Sequence, residues 1–251
     1  MSLCELCITG VRHEGTAEGK WEKINGVDCY VATPTTDYDK SKVLIYLSDV
    51  FGPRLINAQL LADDFARNGF RTIMPDLFDS DAAPEILLTN PAAFDLDGFF
   101  NNHPPARAKF LVDRVIAALK ADGDVKKIGT TGYCYGARVG VDLALDGTSS
   151  VTVIAHPSLL QVPVDFERYK AVSHAPLLIH SCTVDHLFPA EAQAAADAIL
   201  GDGKFAPGYE RMHWEGCQHG FGVRGDLTNP AVKAGKEGSF KATAEFLLKH
   251  L

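Results

Sequence analysis

Five residues, Gly132-Tyr133-Cys134-Tyr135-Gly136, constrain this chain more than any other stretch. A strand-like run, Lys127-Ile128-Gly129-Thr130-Thr131, leads into them, and a helix-like run from Ala137 to Leu145 follows at once. A strand that turns into a helix within so few residues leaves no room for side chains flanking the turn, and the two glycines supply that room. The residue at the tip is held in strained backbone geometry. It also stands at the helix N-terminus, where unpaired N–H groups and the dipole favour negative charge. The pattern predicts a nucleophile elbow with cysteine where serine is usual, and makes Cys134 the first candidate for chemistry. Ordinary tight packing produces the same five letters, so the motif draws its weight from what surrounds it.

What surrounds it is an alternation of short strands and helices. Strand-like runs occupy Asp28–Thr33, Lys42–Ser48, Phe70–Met74, Val151–Ala155, Pro176–Ser181 and Tyr209–Trp214. The run 42–48 is continuously apolar, as a parallel strand buried on both faces requires. Helical periodicity covers Asn57–Asn68, which stops at Gly69, then Pro104–Ala121, Ala190–Leu200 and Ser239–Leu251. The segment from Asp76 to Asn102 is irregular and reads as an excursion over one end of a sheet. Repeated βα alternation predicts an α/β fold, a mostly parallel sheet with helices on both faces. With 251 residues and no repeat or linker, the expectation is one domain spanning 1–251.

Composition narrows the function classes. A net charge of −8 argues against a nucleic-acid or anionic-membrane surface, which needs clustered Lys and Arg. No run approaches a membrane span and no signal peptide is visible, so the six cysteines read as mostly reduced and the location as cytoplasmic. Lys249-His250-Leu251 loosely resembles a peroxisomal signal, with the wrong first residue. Cys4-x-x-Cys7 has zinc-like spacing but no second Cys/His pair to complete a site. Cys29 and Cys182 lie in apolar strand-like runs and read as packing residues.

In sheets of this kind, function gathers just beyond the carboxyl ends of the strands. Asp185 follows the run 176–181, within Thr183-Val184-Asp185-His186-Leu187-Phe188-Pro189, and His219 follows the run 209–214, within Gln218-His219-Gly220-Phe221. Nucleophile, carboxylate and histidine thus occur in that chain order. The chemistry asks for each: a thiol to attack a carbonyl, an imidazole to take and return its proton, and a carboxylate to hold the imidazole's tautomer and stabilise its cation. Asp185 also fits a cap for the following helix. His180 and His213 fall inside strand runs, and His186 adjoins Asp185, too close in sequence to bridge to Cys134. His156 follows the run 151–155 and reads either as a pocket-lining side chain or as a hydrogen-bonded loop histidine.

Taken with a fourth segment, Ser48-Asp49-Val50-Phe51-Gly52, these motifs resemble the dienelactone hydrolase family, a cysteine branch of the α/β-hydrolase fold, over roughly residues 25 to 250. The resemblance implies an oxyanion hole formed by the backbone N–H groups of Val50 and Tyr135. It implies that Asp49 matches a family carboxylate, more often glutamate, that meets the resting thiol; aspartate is one methylene shorter. It further implies a substrate-binding role for Arg224, five residues after His219, toward a substrate carboxylate. Phe51, His156 and Phe221 complete the expected substrate contacts, and Phe94, Phe99 and Phe100 fit either a pocket wall or the core. The function implied is cleavage of a lactone or carboxylic ester through an acyl-enzyme, with no metal or organic cofactor and a small molecule as partner. A thioesterase, a lactone-forming or cyclising enzyme, and a non-catalytic binding protein stand as alternatives; fold alone does not choose among substrates.

Overall fold

The computed structural model describes residues 11–90 and 94–251. The Cys4 and Cys7 pair lies outside the described residues. One sheet organises the chain: β1 (Lys20–Ile24), β2 (Val27–Ala32), β3 (Lys42–Leu47), β4 (Thr72–Pro75), β5 (Lys127–Tyr133), β6 (Val151–Ala155), β7 (Leu177–Val184) and β8 (Tyr209–Gln218). Their spatial order is β1-β2-β4-β3-β5-β6-β7-β8. The pairs β1–β2 and β2–β4 are antiparallel, and the strands from β4 through β8 run parallel. The helices are α1 (Ile56–Arg67), α2 (Leu96–Asn102), α3 (Pro105–Ala121), α4 (Tyr135–Leu145), α5 (Val164–Val172), α6 (Ala190–Leu200) and α7 (Pro230–His250). Among the described residues no helix is long and apolar enough to cross a membrane.

The helices lie on both faces, and β5 shows why. Neighbouring strand residues point to opposite faces. Gly129 faces Leu247 and Leu251 at the end of α7, whereas Thr130 faces Gly140 of α4. On the α7 side, Phe240 meets Phe65 of α1, their ring centroids 4.9 Å apart. β3 is buried from Val43 through Leu47, which matches its unbroken apolar run.

The strand order places the functional end of the sheet. From β3 the chain moves outward to β4, then returns to the other side of β3 as β5. Where the winding reverses, the loops leaving the two neighbouring strands diverge and open a crevice at their carboxyl ends. The loop from β3 carries Asp49, Val50 and Phe51, and the turn from β5 carries Cys134.

Several elements depart from the sequence reading. β1 is an edge strand with a largely exposed, charged pattern, so it lacks the alternation that marks a half-buried strand. Helix α5 buries only Asp165, Phe166 and Tyr169, and α2 is a seven-residue piece of the excursion. Helix α7 starts at Pro230, ahead of the expected Ser239, and runs through Gly235 and Gly238. These glycines discourage a helical reading but allow close packing: a Cβ on Gly235 would stand 2.3 Å from the Cys217 sulfur, and one on Gly238 2.4 Å from the Trp214 ring. Strand β8 likewise continues to Gln218 rather than ending at Trp214, through Gly216 at φ +72° and a register shift against β7.

Candidate active site

Cys134 occupies the tip of the turn between β5 and α4, at φ +49° and ψ −111°, a conformation forbidden to most side chains. Both flanking glycines are sterically required. A Cβ on Gly136 would lie 2.1 Å from the Leu47 carbonyl oxygen, and one on Gly132 2.7 Å from the Gly136 carbonyl oxygen. The turn is tied to its neighbour: the Cys134 N–H donates to Ala155 O at 3.1 Å, and Ser158 N–H donates to Cys134 O at 3.2 Å. Tyr135 begins α4, so its N–H lies in the first helical turn and points outward from the helix end. The Tyr135 side chain turns away instead, donating its hydroxyl to His103 O at 2.8 Å.

Asp185 and His219 emerge side by side from β7 and β8. The strand ends are joined by the His219 N–H donating to Val184 O at 2.9 Å. His219 Nδ1 lies 2.9 Å from Asp185 Oδ1. That oxygen also accepts the N–H groups of Leu187 and Phe188, at 3.0 and 3.1 Å. Asp185 is therefore fixed by its own loop, and α6 begins beyond it at Ala190, with Pro189 at the N-cap and no side-chain cap. Burial disfavours a charged His219, but Asp185 and a negatively charged Cys134 sulfur outweigh it and raise the imidazole to about 10, so the proton is held on His219 once it has left the thiol. Its Nε2 is buried with no hydrogen-bond partner among the described residues.

The other histidines separate clearly. His180 is completely buried between the Thr243 hydroxyl, 2.9 Å from its Nε2, and the Trp214 N–H, which donates to its Nδ1 at 3.1 Å; burial pushes it down to about 3. His213 is exposed and bonds to Gln193 on α6. His186 is exposed. His156 does not line the cavity and makes no hydrogen bond through its ring. It is wholly buried behind His219 and Phe221, at ring separations of 4.9 and 5.6 Å.

Asp49 and Arg224 meet each other. One Asp49 oxygen accepts from the Arg224 guanidinium, and the other accepts the Phe51 N–H at 3.1 Å. The guanidinium also lies 4.4 Å above the Phe51 ring. The hydrogen-bond partner of the thiol is Ser158, whose Oγ is 3.7 Å from Cys134 Sγ. Nothing in the sequence singled out Ser158 except its place shortly after a strand.

A cavity of about 650 Å³ opens over Cys134, His219, Val50, Phe51, Phe221 and Arg224. The excursion after β4 contributes Leu87, Leu88, Leu96 and Phe100 to its wall, and Val184 at the end of β7 and Leu187 just beyond it complete that side. The excursion's aromatics thus divide: Phe100 faces the cavity, whereas Phe99 is buried against Phe78 and His103 and Phe94 packs on Phe99. Among the described residues no group of three His, Cys, Asp or Glu side chains is placed to hold a metal ion. Cys29, Cys134, Cys182 and Cys217 are unbridged and buried.

The fold and the sequence as a whole are similar to known proteins. The chain is 33% identical over 251 residues to dienlactone hydrolase 1 of Gibberella moniliformis, covering 98% of this chain and 92% of the relative. It is 32% identical over 253 residues to the hydrolase tropI of Talaromyces stipitatus, covering 98% and 95%. A crystal structure described as a dienelactone hydrolase of Klebsiella pneumoniae superposes with a TM-score of 0.72 at 18% identity, over 93% of this chain and 99% of that one. The family model for the dienelactone hydrolase family matches residues 27–251. The chain belongs to the dienelactone hydrolase family, and is a hydrolase of ester or lactone bonds built on the α/β-hydrolase fold.

Proposed function

We propose that this protein cleaves a lactone or carboxylic ester through a Cys134–His219–Asp185 triad. The observation that carries the reading is the His219 Nδ1 contact of 2.9 Å with Asp185, made beside a cysteine standing at a strained strand-to-helix turn. In this mechanism His219 Nε2 takes the thiol proton and Cys134 attacks the carbonyl carbon. The N–H groups of Val50 and Tyr135 receive the developing oxyanion. Collapse of the tetrahedral adduct expels the alcohol, which takes the proton from His219. His219 then draws a proton from water, the resulting hydroxide attacks the thioester, and the acid departs as the thiolate is regenerated. In a lactone the alcohol stays tethered to the acyl group, so ring closure competes with water.

The cavity supports a substrate larger than a single small ring. A volume of about 650 Å³ lies in the range that encloses a drug-sized molecule. Leu88, Val184 and Leu187 line it while being 43%, 51% and 47% exposed, so three large apolar side chains share one opening. The reading is therefore an ester or lactone with an extended apolar body. Its anionic group, if it meets Arg224, competes there with Asp49. The names of relatives called dienlactone hydrolases favour the lactone, and cytoplasmic residence belongs to the same proposal.

The test is turnover of 4-nitrophenyl esters and of aryl-fused lactones by wild type and Cys134→Ala. Turnover should fall by several powers of ten, about the scale seen when a triad member is lost. A Cys134→Ala enzyme working near the wild-type rate overturns the assignment.

A further inference from the structure

The loop leaving β6, His156-Pro157-Ser158, turns two polar side chains inward. Both are completely buried. The backbone is strained to do so, with φ +37° at His156 and φ +60° at Leu159. His156 packs its ring at 65° to that of His219. Ser158 reaches the other reacting group: Cys134 Sγ donates to Ser158 Oγ across 3.7 Å, and the Ser158 N–H holds the Cys134 carbonyl. A loop that only had to close the sheet would carry apolar side chains here, because a buried hydroxyl or imidazole without good partners is destabilising. Strain and buried polar groups concentrated on the two reacting residues mark a loop shaped for chemistry.

The resting thiol needs such a partner. Asp49 is engaged by Arg224 and by the Phe51 N–H. His219 Nε2 has no hydrogen-bond partner of good geometry among the described residues, although the Cys134 sulfur is near enough to act on its imidazole. Ser158 is the side chain hydrogen-bonded to the thiol.

We propose that Ser158 is a further catalytic residue, whose hydroxyl accepts the Cys134 S–H in the resting enzyme and donates to the sulfur once it is a thiolate. This rests on the reading of Cys134 as nucleophile and His219 as base. The proton balance is simple. The S–H proton moves to His219 Nε2. Ser158 keeps its own proton and rotates it from another direction toward the negative sulfur, where a hydrogen bond to an ion is stronger than one to a neutral thiol. Around this exchange Asp185 bonds to His219, His156 packs on His219 and Tyr133, and Arg224 also acts on His156, so a variant at Ser158 alters the thiol's surroundings without removing a charge.

The experiment compares wild type, Ser158→Ala, Ser158→Thr and Cys134→Ala. Two readouts are used: the pH profile of iodoacetamide alkylation, and the infrared S–H stretching band that Cys134→Ala abolishes. In wild type that band should sit at the lower frequency of a hydrogen-bonded thiol and should move up in Ser158→Ala. Alkylation of Ser158→Ala near neutral pH should slow about tenfold, the scale of a hydrogen bond to a charged group. Its kcat on 4-nitrophenyl acetate should fall with little change in KM. Ser158→Thr, which keeps the hydroxyl, should recover most of the rate. An unchanged S–H band and alkylation profile in Ser158→Ala overturn the role of Ser158 while leaving Cys134 standing. Equal slowing in the Ala and Thr variants reduces Ser158 to packing, and also overturns it. Because the wild-type band is read directly, a free-thiol frequency or no S–H band there overturns the proposal even if a variant fails to fold. If Cys134→Ala retains esterase activity, the underlying triad reading fails instead.

Discussion

Asp49 and Arg224, separated by 175 positions in the chain, form an ion pair behind the cavity wall that Arg224 lines, with the aspartate side chain 1% exposed and the arginine 21%. The pair joins the loop after β3 to the loop after β8, and Arg224 is folded back over Gly220, whose carbonyl oxygen accepts the Arg224 N–H at 3.0 Å. Removing the arginine leaves a buried carboxylate unmatched. Arg224→Ala should lower stability by about 3 kcal/mol, and adding Asp49→Asn should restore much of it. Binding should behave differently: Arg224→Ala should raise KM for anionic esters about tenfold to a hundredfold over neutral ones, with or without Asp49→Asn. Asp49→Asn alone frees the guanidinium and should lower KM for anionic esters. Denaturant midpoints and paired KM values check both halves, and equal KM effects on neutral and anionic esters would refute the binding role.

The elbow should tolerate no added carbon. Gly136→Ala forces a methyl to within 2.1 Å of a backbone oxygen, and no flexible side chain can yield there. We expect destabilisation of about 3 kcal/mol or more, at the upper end of overpacking. Gly123→Ala is the control for strain alone, since Gly123 has φ +79° with open space around it. It should cost about 1 kcal/mol. Thermal and urea unfolding measure both, and equal losses would mean that strain rather than contact governs the elbow.

Acid should destabilise the protein through its buried histidines. His180 is pushed down to about 3, and His156 well below its ordinary value, in both cases first by burial. Between the ordinary value near 6.5 and the lowered one, the unfolded chain binds protons that the folded chain refuses. Stability is therefore present above pH 6.5 and lost as pH falls, by up to about 1.4 kcal/mol per pH unit for each histidine. His219 acts in the opposite sense: its raised value means that its contribution is full below 6.5 and declines as pH rises through about 10. His156→Phe should flatten the acid limb between pH 6 and 4, as read by urea midpoints. An unaltered slope would show that His156 is protonated in the fold.

The exposed leucines at the mouth should set chain-length preference. Leu187→Asp and Leu88→Asp should reduce kcat/KM for 4-nitrophenyl octanoate about tenfold while leaving the acetate nearly unchanged, because each removes roughly 1–2 kcal/mol of apolar contact with a long chain. If both substrates respond alike, those side chains do not touch the substrate body.

How much of this was legible in the sequence follows from where each signal resides. The elbow could be read because its demands fall on consecutive positions: two glycines, a strand run and a helix run. The positions of Asp185 and His219 followed from strand ends, and β7 and β8 do end at Val184 and Gln218, immediately before them. Ser158 could not be read, because a serine after a proline looks like any loop residue. Its significance comes from positive φ at His156 and Leu159, which no residue type announces. The Asp49–Arg224 pair was hidden for another reason. The sequence proposed a separate partner for each residue, and their contact depends on how two distant loops converge over the sheet. The early start of α7 was missed because glycines that break isolated helices are here the places where a helix presses against Cys217 and Trp214.

The contact between Gly136 and the Leu47 carbonyl has a consequence for how such a protein can change over time. Main chain rests on main chain there, so the spacing between the loop bearing Val50 and the turn bearing Tyr135 is set by atoms every residue shares. Much of the cavity wall, by contrast, is built from side chains on the excursion after β4 and around the ends of β7 and β8. Exchange of the Leu87 or Leu88 side chain changes the wall without touching that main-chain contact. A lineage carrying this scaffold can therefore explore new substrates one wall residue at a time without re-inventing its reaction.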